Sequence, residues 1–222
     1  YNQSFTHEEA KLLDLCLLCH ADHGGGNNST FTDRVVSSTG TDTYSAIAAA
    51  IGALKGPKHG GANLQVMKQL DMLLAYGVNP EDASSVKEAL RKILRKEIGD
   101  GSGLIYGIGH AVYTLSDPRA QILKNNSASL AKKTHHEKEY NLLCAIEKYA
   151  PEVFLEEKGT NKNVCANVDL FSGLIYRMLG IDDVLYTPIF AIARIGGWCA
   201  HRMEETEFAN RIIRPAYKYI PR

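Results

Sequence analysis

Apolar positions recur every three or four residues along the chain, and the elements this spacing predicts are helices. Thr6 and Glu9 stand at the separation of a capping box ahead of Leu12, Leu13, Leu15 and Cys16, so a helix opens near His7 and runs toward Cys19. Thr41 or Asp42 can cap a second helix, whose Ala and Ile run from Ala46 to Leu54 is apolar nearly all round and predicts a buried element. Asn79-Pro80-Glu81-Asp82 opens another, with proline near its first position and Arg91, Lys92, Arg95 and Lys96 toward its end, while Val86, Leu90, Ile93 and Leu94 share one face. The same spacing recurs at Leu142, Leu143, Ile146 and Tyr149, and again from Pro188 through Met203. Strand-like alternation is scarce, and the expected fold class is mostly or wholly α.

Two glycine-bearing breaks interrupt the helices, Gly99-Asp-Gly-Ser-Gly103 and Gly159-Thr-Asn-Lys-Asn163. A helical unit covering 61–180 is expected as a small domain inserted between 1–60 and 181–222, the two parts of a larger domain. The first residues, Tyr1-Asn2-Gln3-Ser4, lack the layout of a secretory signal, and a start at Tyr1 suggests that something upstream has been removed.

Composition narrows the function classes. A chain of 222 residues with 45% hydrophobic content can bury a core without staples. Its 25 basic and 25 acidic residues cancel, which leaves no net field to attract nucleic acid or an anionic membrane. No apolar run is long enough to span a bilayer. Cysteines at irregular positions (16, 19, 144, 165 and 199) are odd in number and argue for reduced thiols and a cytoplasmic setting. The expected partners are small molecules.

Candidate chemistry lies in four segments that set an ionisable side chain beside glycine or a small residue: His20-Ala-Asp-His23-Gly-Gly-Gly-Asn27, Gly56-Pro-Lys-His59-Gly-Gly-Ala-Asn63, Gly107-Ile-Gly-His110-Ala-Val-Tyr113 and Asn167-Val-Asp169-Leu-Phe-Ser-Gly173. Backbone can approach a ligand closely at such places. Shorter motifs compete with them. Cys16-Leu-Leu-Cys19-His20 has the spacing of a haem attachment site, but it falls in an apolar helical stretch, where packed thiols are the simpler reading. A zinc site on Cys16, Cys19, His20 and His23 lacks the distant second pair, and His135-His136-Glu137 lacks a second histidine at helical spacing, so no metal is expected.

Taken in order with Asp117-Pro118-Arg119, Ala193-Arg194-Ile-Gly-Gly-Trp198 and Arg214-Pro215, the four segments resemble the citrate synthase family from about Leu15 to Pro215. The resemblance implies an all-helical enzyme in which a small domain closes on a large one, with sites completed across a homodimer. Members are considerably longer, so the chain is similar to their C-terminal half, with the N-terminal helices of the large domain absent.

The implied reaction joins the methyl carbon of acetyl-coenzyme A to the keto carbon of oxaloacetate and then hydrolyses the thioester. By motif position, Asp169 is the implied base, His59 the donor to the thioester oxygen and His110 the group that polarises the oxaloacetate carbonyl. His23, Arg119, Arg194 and Arg214 are the implied oxaloacetate contacts, with Arg214 reaching the neighbouring subunit's site. Guanidinium groups suit a dicarboxylate because they are planar, permanently charged and able to bind bidentately. Ile105, Gly107, Gly109 and Asn167 are the implied coenzyme contacts. Coenzyme A enters as part of the acyl substrate, and no tightly bound cofactor is implied. Thr114 stands where many relatives have Lys or Arg, and Phe171 where tyrosine is common. Two other readings stay open: a 2-methylcitrate synthase using propionyl-coenzyme A, and a catalytically silent helical module.

Overall fold

The computed structural model describes residues 4–56, 59–109, 113–160, 164–209 and 211–216. The described residues form nine α-helices and one short 3-10 turn: α1 His7–His20, α2 Asn28–Ser37, α3 Thr43–Leu54, α4 Ala62–Ala75, α5 Ala83–Leu94, α6 Pro118–Lys133, α7 Glu137–Lys158, α8 Asp169–Met178, the turn Asp183–Leu185, and α9 Tyr186–Phe208. The all-α expectation holds. The only β pairing among the described residues is an isolated antiparallel bridge between Ile108 and Ala166.

Local sequence explains most helix starts. Thr6 and Glu9 form the reciprocal box, with Glu9 N–H donating to Thr6 Oγ1 at 3.2 Å and Thr6 N–H to Glu9 Oε2 at 2.7 Å. Asp42 caps α3 by accepting from Ser45 N–H at 3.0 Å. Asp117 caps α6, where Pro118 occupies the first turn and loses no helical hydrogen bond.

Two expectations need correction. The helix expected at Pro80 begins at Ala83, because Asp82 accepts from Ser84 N–H and takes the cap, while Asn79 Oδ1 accepts from Glu81 N–H and closes a turn before it. α3 buries only Ala46, Ala50 and Leu54, and leaves Tyr44 and Ile51 exposed. An apolar circumference permits burial all round; only packed neighbours enforce it.

The chain divides into two compact units, Tyr1–Cys19 with Gly61–Tyr186, and His20–Gly60 with Thr187–Arg222. In the longer unit α8 is the most deeply packed helix, meeting α4, α6 and α7 and burying Leu170, Phe171, Leu174, Ile175, Tyr176 and Met178. α5 lies on α7, and its basic residues are committed there: Arg91 pairs with Glu156 and Arg95 with Glu157, both at 2.7 Å. In the other unit α2 packs on α3, and Ala50, Leu54, Phe190 and Trp198 form a core.

No helix among the described residues is long and apolar enough to cross a membrane. Cys16 and Cys19, the pair that matched a haem spacing, are both buried, and burial pushes the Cys16 thiol up.

Candidate active site

In the unit His20–Gly60 with Thr187–Arg222, two glycines without room for a side chain set the geometry. A Cβ on Gly60 would lie 2.4 Å from the Leu54 carbonyl oxygen, so only glycine lets the chain turn back on the end of α3 directly after His59. A Cβ on Gly197 would lie 2.3 Å from the Ala21 carbonyl oxygen; instead, Gly197 N–H donates to that oxygen at 3.1 Å. The segment after α1 therefore lies against α9.

That approach delivers His20 to Arg194. Arg194 is buried, donates from Nε to the His20 carbonyl oxygen at 2.5 Å and from Nη1 to Asn27 Oδ1 at 3.1 Å, and stacks its guanidinium 4.8 Å from the Phe190 ring centroid. The His20 ring packs on the same Phe190, centroids 4.1 Å apart. Asn27 Oδ1 also accepts from Ser29 Oγ at 3.0 Å, and Ser29 Oγ in turn accepts from Trp198 Nε1 at 3.3 Å.

Ser29 links this network to His59. Its backbone N–H points at His59 Nε2, 3.3 Å away, and its hydroxyl lies 3.0 Å from the same nitrogen. A backbone N–H can only donate, so Nε2 is the acceptor and the ring proton sits on Nδ1. Burial, and then the Arg194 charge, hold the His59 pKa below the ordinary imidazole value. Both causes favour the neutral ring over the charged one.

His23 is half-buried in the turn after α1. The turn is organised by Asp22, which accepts from Gly24 N–H at 3.2 Å and lies 3.1 Å from His201 Nε2. Burial pushes the Asp22 carboxyl up, but donors from Gly24 and His23 and the charge of His201 outweigh it and leave it below the usual range. Arg214 is exposed in the C-terminal segment beyond α9.

The unit Tyr1–Cys19 with Gly61–Tyr186 places Asp169 at the first position of α8, where the helix N-terminus favours negative charge. Its N–H donates to Asn167 Oδ1 at 3.0 Å, and Asn167 Nδ2 donates to the Gly109 carbonyl at 3.0 Å. Asn167 N–H to Gly107 O at 2.9 Å and Gly109 N–H to Cys165 O at 2.8 Å complete the link. The glycine segment and the segment ahead of Asp169 are thus one braced structure. Gly107 has φ 80°, and a Cβ there would lie 2.9 Å from Leu170 Cα. Ile105 is buried, and the backbone around it is clamped by Gln69 of α4, which donates to Leu104 O at 3.0 Å and accepts from Tyr106 N–H at 3.1 Å.

Arg119, in the same unit, has its fork on buried Asp117, with Nε to Oδ1 at 3.1 Å and Nη2 to Oδ2 at 2.8 Å. Its Nη1 lies 3.4 Å from the Cys19 carbonyl oxygen. His110 falls outside the described residues. No group of three or more His, Cys, Asp or Glu side chains that could hold a metal ion occurs among the described residues.

The sequence reading brought out neither Ser29 nor Gln69. Ser29 had a weak signal, a hydroxyl two residues beyond Asn27 where a glycine run gives way to a helix. Gln69 had a clearer one, a polar residue on the apolar stripe of Val66, Met67, Leu70 and Leu73.

The family model for the citrate synthase C-terminal domain matches residues 2–216. A citrate synthase of Deinococcus radiodurans is 42% identical over 214 residues, covering 96% of this chain and 52% of that protein. A 2-methylcitrate synthase of Shewanella oneidensis is 37% identical, covering 95% of this chain and 50% of that protein. The solved citrate synthase of Thermoplasma acidophilum, in ternary complex with carboxymethyl coenzyme A and oxaloacetate, matches with a TM-score of 0.80 at 31% identity, covering 99% of this chain and 54% of that one. The chain belongs to the citrate synthase family and spans about half the length of the curated relatives it matches.

Proposed function

We propose that the protein of which this chain is part condenses acetyl-coenzyme A with oxaloacetate and hydrolyses the resulting thioester to citrate and coenzyme A. The observation that carries the reading is the 3.3 Å approach of Ser29 N–H to His59 Nε2: a neutral imidazole held in this way presents Nδ1–H as a donor. Enolising a thioester needs such a donor, because the methyl group is a weak acid and its base succeeds only if charge appearing on the oxygen is stabilised. A neutral donor matches that oxygen without first having to be charged.

In this reading the Asp169 carboxylate takes a methyl proton while His59 Nδ1–H holds the thioester oxygen. The enolate carbon attacks the keto carbon of oxaloacetate, and His110 donates to the alkoxide as the carbon–carbon bond forms. Water then cleaves the thioester and coenzyme A leaves as the thiol. Arg194 and Arg119 bind the dicarboxylate with His23, and the exposed Arg214 serves the neighbouring subunit of a homodimer. Ile105, Gly107, Gly109 and Asn167 bind coenzyme A, which arrives as part of the substrate; no tightly bound cofactor is required. The small domain is 61–180, within a large domain of which 1–60 and 181–222 are the C-terminal parts. Five unpaired cysteines suit a reducing, cytoplasmic setting.

The test is release of coenzyme A from acetyl-coenzyme A by the full-length protein, dependent on oxaloacetate. No release, with folding verified, would defeat the reading. A 2-methylcitrate synthase is the second reading, favoured by the Shewanella relative. One methyl group distinguishes the two acyl substrates and is worth only about 1–3 kcal/mol in an apolar pocket. Parallel turnover with propionyl-coenzyme A separates them.

A further inference from the structure

The segment 99–109, which carries Ile105, Gly107 and Gly109, has little in its own sequence to hold it to one path. Gly99, Gly101, Gly103, Gly107 and Gly109 all have positive φ, and glycine is the residue with the most conformational freedom to lose. Part of the order comes from within: Asp100 Oδ1 accepts from Ser102 N–H at 2.9 Å, and Tyr106 Oη donates to Asp100 Oδ2 at 2.5 Å. The far end is fixed by the bonds to Asn167 and Cys165. Between these anchors the hold on the backbone comes from α4.

Gln69 is buried on α4 among Val66, Met67, Leu70 and Leu73, where an apolar side chain would pack without the cost of desolvating an amide. That amide takes hold of the two peptide groups on either side of Ile105, with Nε2 donating to Leu104 O at 3.0 Å and Oε1 accepting from Tyr106 N–H at 3.1 Å. A carbonyl only accepts and a backbone N–H only donates, so the amide has a single orientation. In a planar trans peptide the C=O and N–H point in opposite directions. With Leu104 O and Tyr106 N–H aimed at Gln69, the N–H and carbonyl of Ile105 therefore point away from it, and Ile105 O meets Ile108 N–H at 3.2 Å within the segment. The helix that supplies this grip is itself packed on α7 and α8.

We propose that Gln69 is a positioning residue for the acyl-coenzyme A subsite: its amide fixes the direction of the Ile105 peptide groups, and with it the affinity for the coenzyme, while taking no part in the chemistry. This rests on the reading of Ile105, Gly107 and Gly109 as coenzyme contacts. Backbone already held in place spares the ligand the cost of ordering a glycine-rich segment when it binds. The benefit falls on the coenzyme alone, since Arg119 and Arg194, read as oxaloacetate contacts, stand on other helices, α6 and α9.

The experiment uses the full-length protein. Gln69→Met keeps the length of the side chain and removes both bonds; the acetyl-coenzyme A KM should rise about tenfold, with the oxaloacetate KM and kcat nearly unchanged. Gln69→Glu exchanges one atom group and is also the variant to read if the methionine variant does not fold. Its carboxylate can accept from Tyr106 N–H but repels Leu104 O, whereas the protonated carboxyl regains a donor and copies the amide. Relative to the parent at each pH, its acetyl-coenzyme A KM should therefore recover as pH falls through the pKa of the new carboxyl. A purely structural amide would lower Tm without this split or this recovery. An unchanged acetyl-coenzyme A KM in a folded variant, equal rises in both KM values, or a Gln69→Glu defect indifferent to pH would each overturn the proposal. Calorimetric titration of coenzyme A into the parent separates the two levels: neither binding nor oxaloacetate-dependent release would remove the coenzyme reading and the inference with it, whereas binding that the variants retain would remove the inference alone.

Discussion

Ser29 N–H donates to Nε2 of His59, and this single bond from the first turn of α2 fixes which ring nitrogen carries the proton. The imidazole is also half-buried and lies in the field of Arg194, so it resists protonation. A His59 titration by NMR should show a midpoint below that of an ordinary imidazole. The sign for stability follows from the lowered folded-state value. His59 contributes stability that is present above the unfolded value of about 6.5 and is lost as pH falls through the folded value. A midpoint at or above the ordinary value would contradict the effect assigned to burial and Arg194.

Asp169→Asn should lower turnover by orders of magnitude while leaving the melting temperature nearly unchanged. The amide keeps the shape and loses the basic lone pair, and the Asp169 N–H bond to Asn167 is a backbone contact that survives. Exchange of the acetyl methyl protons, followed with the full-length protein, reads the base step directly.

Arg194→Ala should weaken oxaloacetate binding and also destabilise the fold, because the guanidinium is buried and its removal takes a donor from the His20 carbonyl and one of two donors from Asn27 Oδ1. The expected cost is about 2–4 kcal/mol, measured by denaturant unfolding. Arg194→Lys should recover little of it, since an ammonium lacks the fork that spans both acceptors. Full stability in the alanine variant would show that the network around Ser29 does not depend on this residue.

Gly107→Ala tests the brace ahead of α8. The left-handed backbone alone costs a non-glycine residue roughly 1–2 kcal/mol, and the contact with Leu170 adds to it. Coenzyme affinity and melting temperature should fall together. A variant that keeps both would dissociate the glycine segment from the position of Asp169.

Asp33 is a buried acid on α2 whose two carboxyl oxygens have no hydrogen-bond partner among the described residues. Burial raises its pKa, against the opposing charges of Arg202 and His201. A raised folded-state value contributes stability below the unfolded value, near 4, that is lost as pH rises through the folded value. Asp33→Ala should therefore gain on the parent as pH rises, by about 1–2 kcal/mol at neutral pH. Thermal melts across the range would show the two proteins diverging upward; a constant difference would mean that the fold does not shift the Asp33 pKa.

The amino-acid sequence by itself determined the helical class and many of the helix ends, because capping and period are local properties. Thr6 with Glu9, Asp42 ahead of α3 and the buried face of Val86, Leu90, Ile93 and Leu94 could all be read from neighbours along the chain. The motif segments could also be read in order, since glycines beside histidine or aspartate mark places where backbone must come close. Only the tertiary structure decided what those side chains do electrically. The His59 proton is placed by Ser29, the Arg194 fork is divided between Asn27 and His20, and the start of α8 is braced by the glycine segment far behind it in sequence. Tautomer, burial and the partner of each donor depend on atoms brought together across long chain separations, and no local pattern encodes those distances.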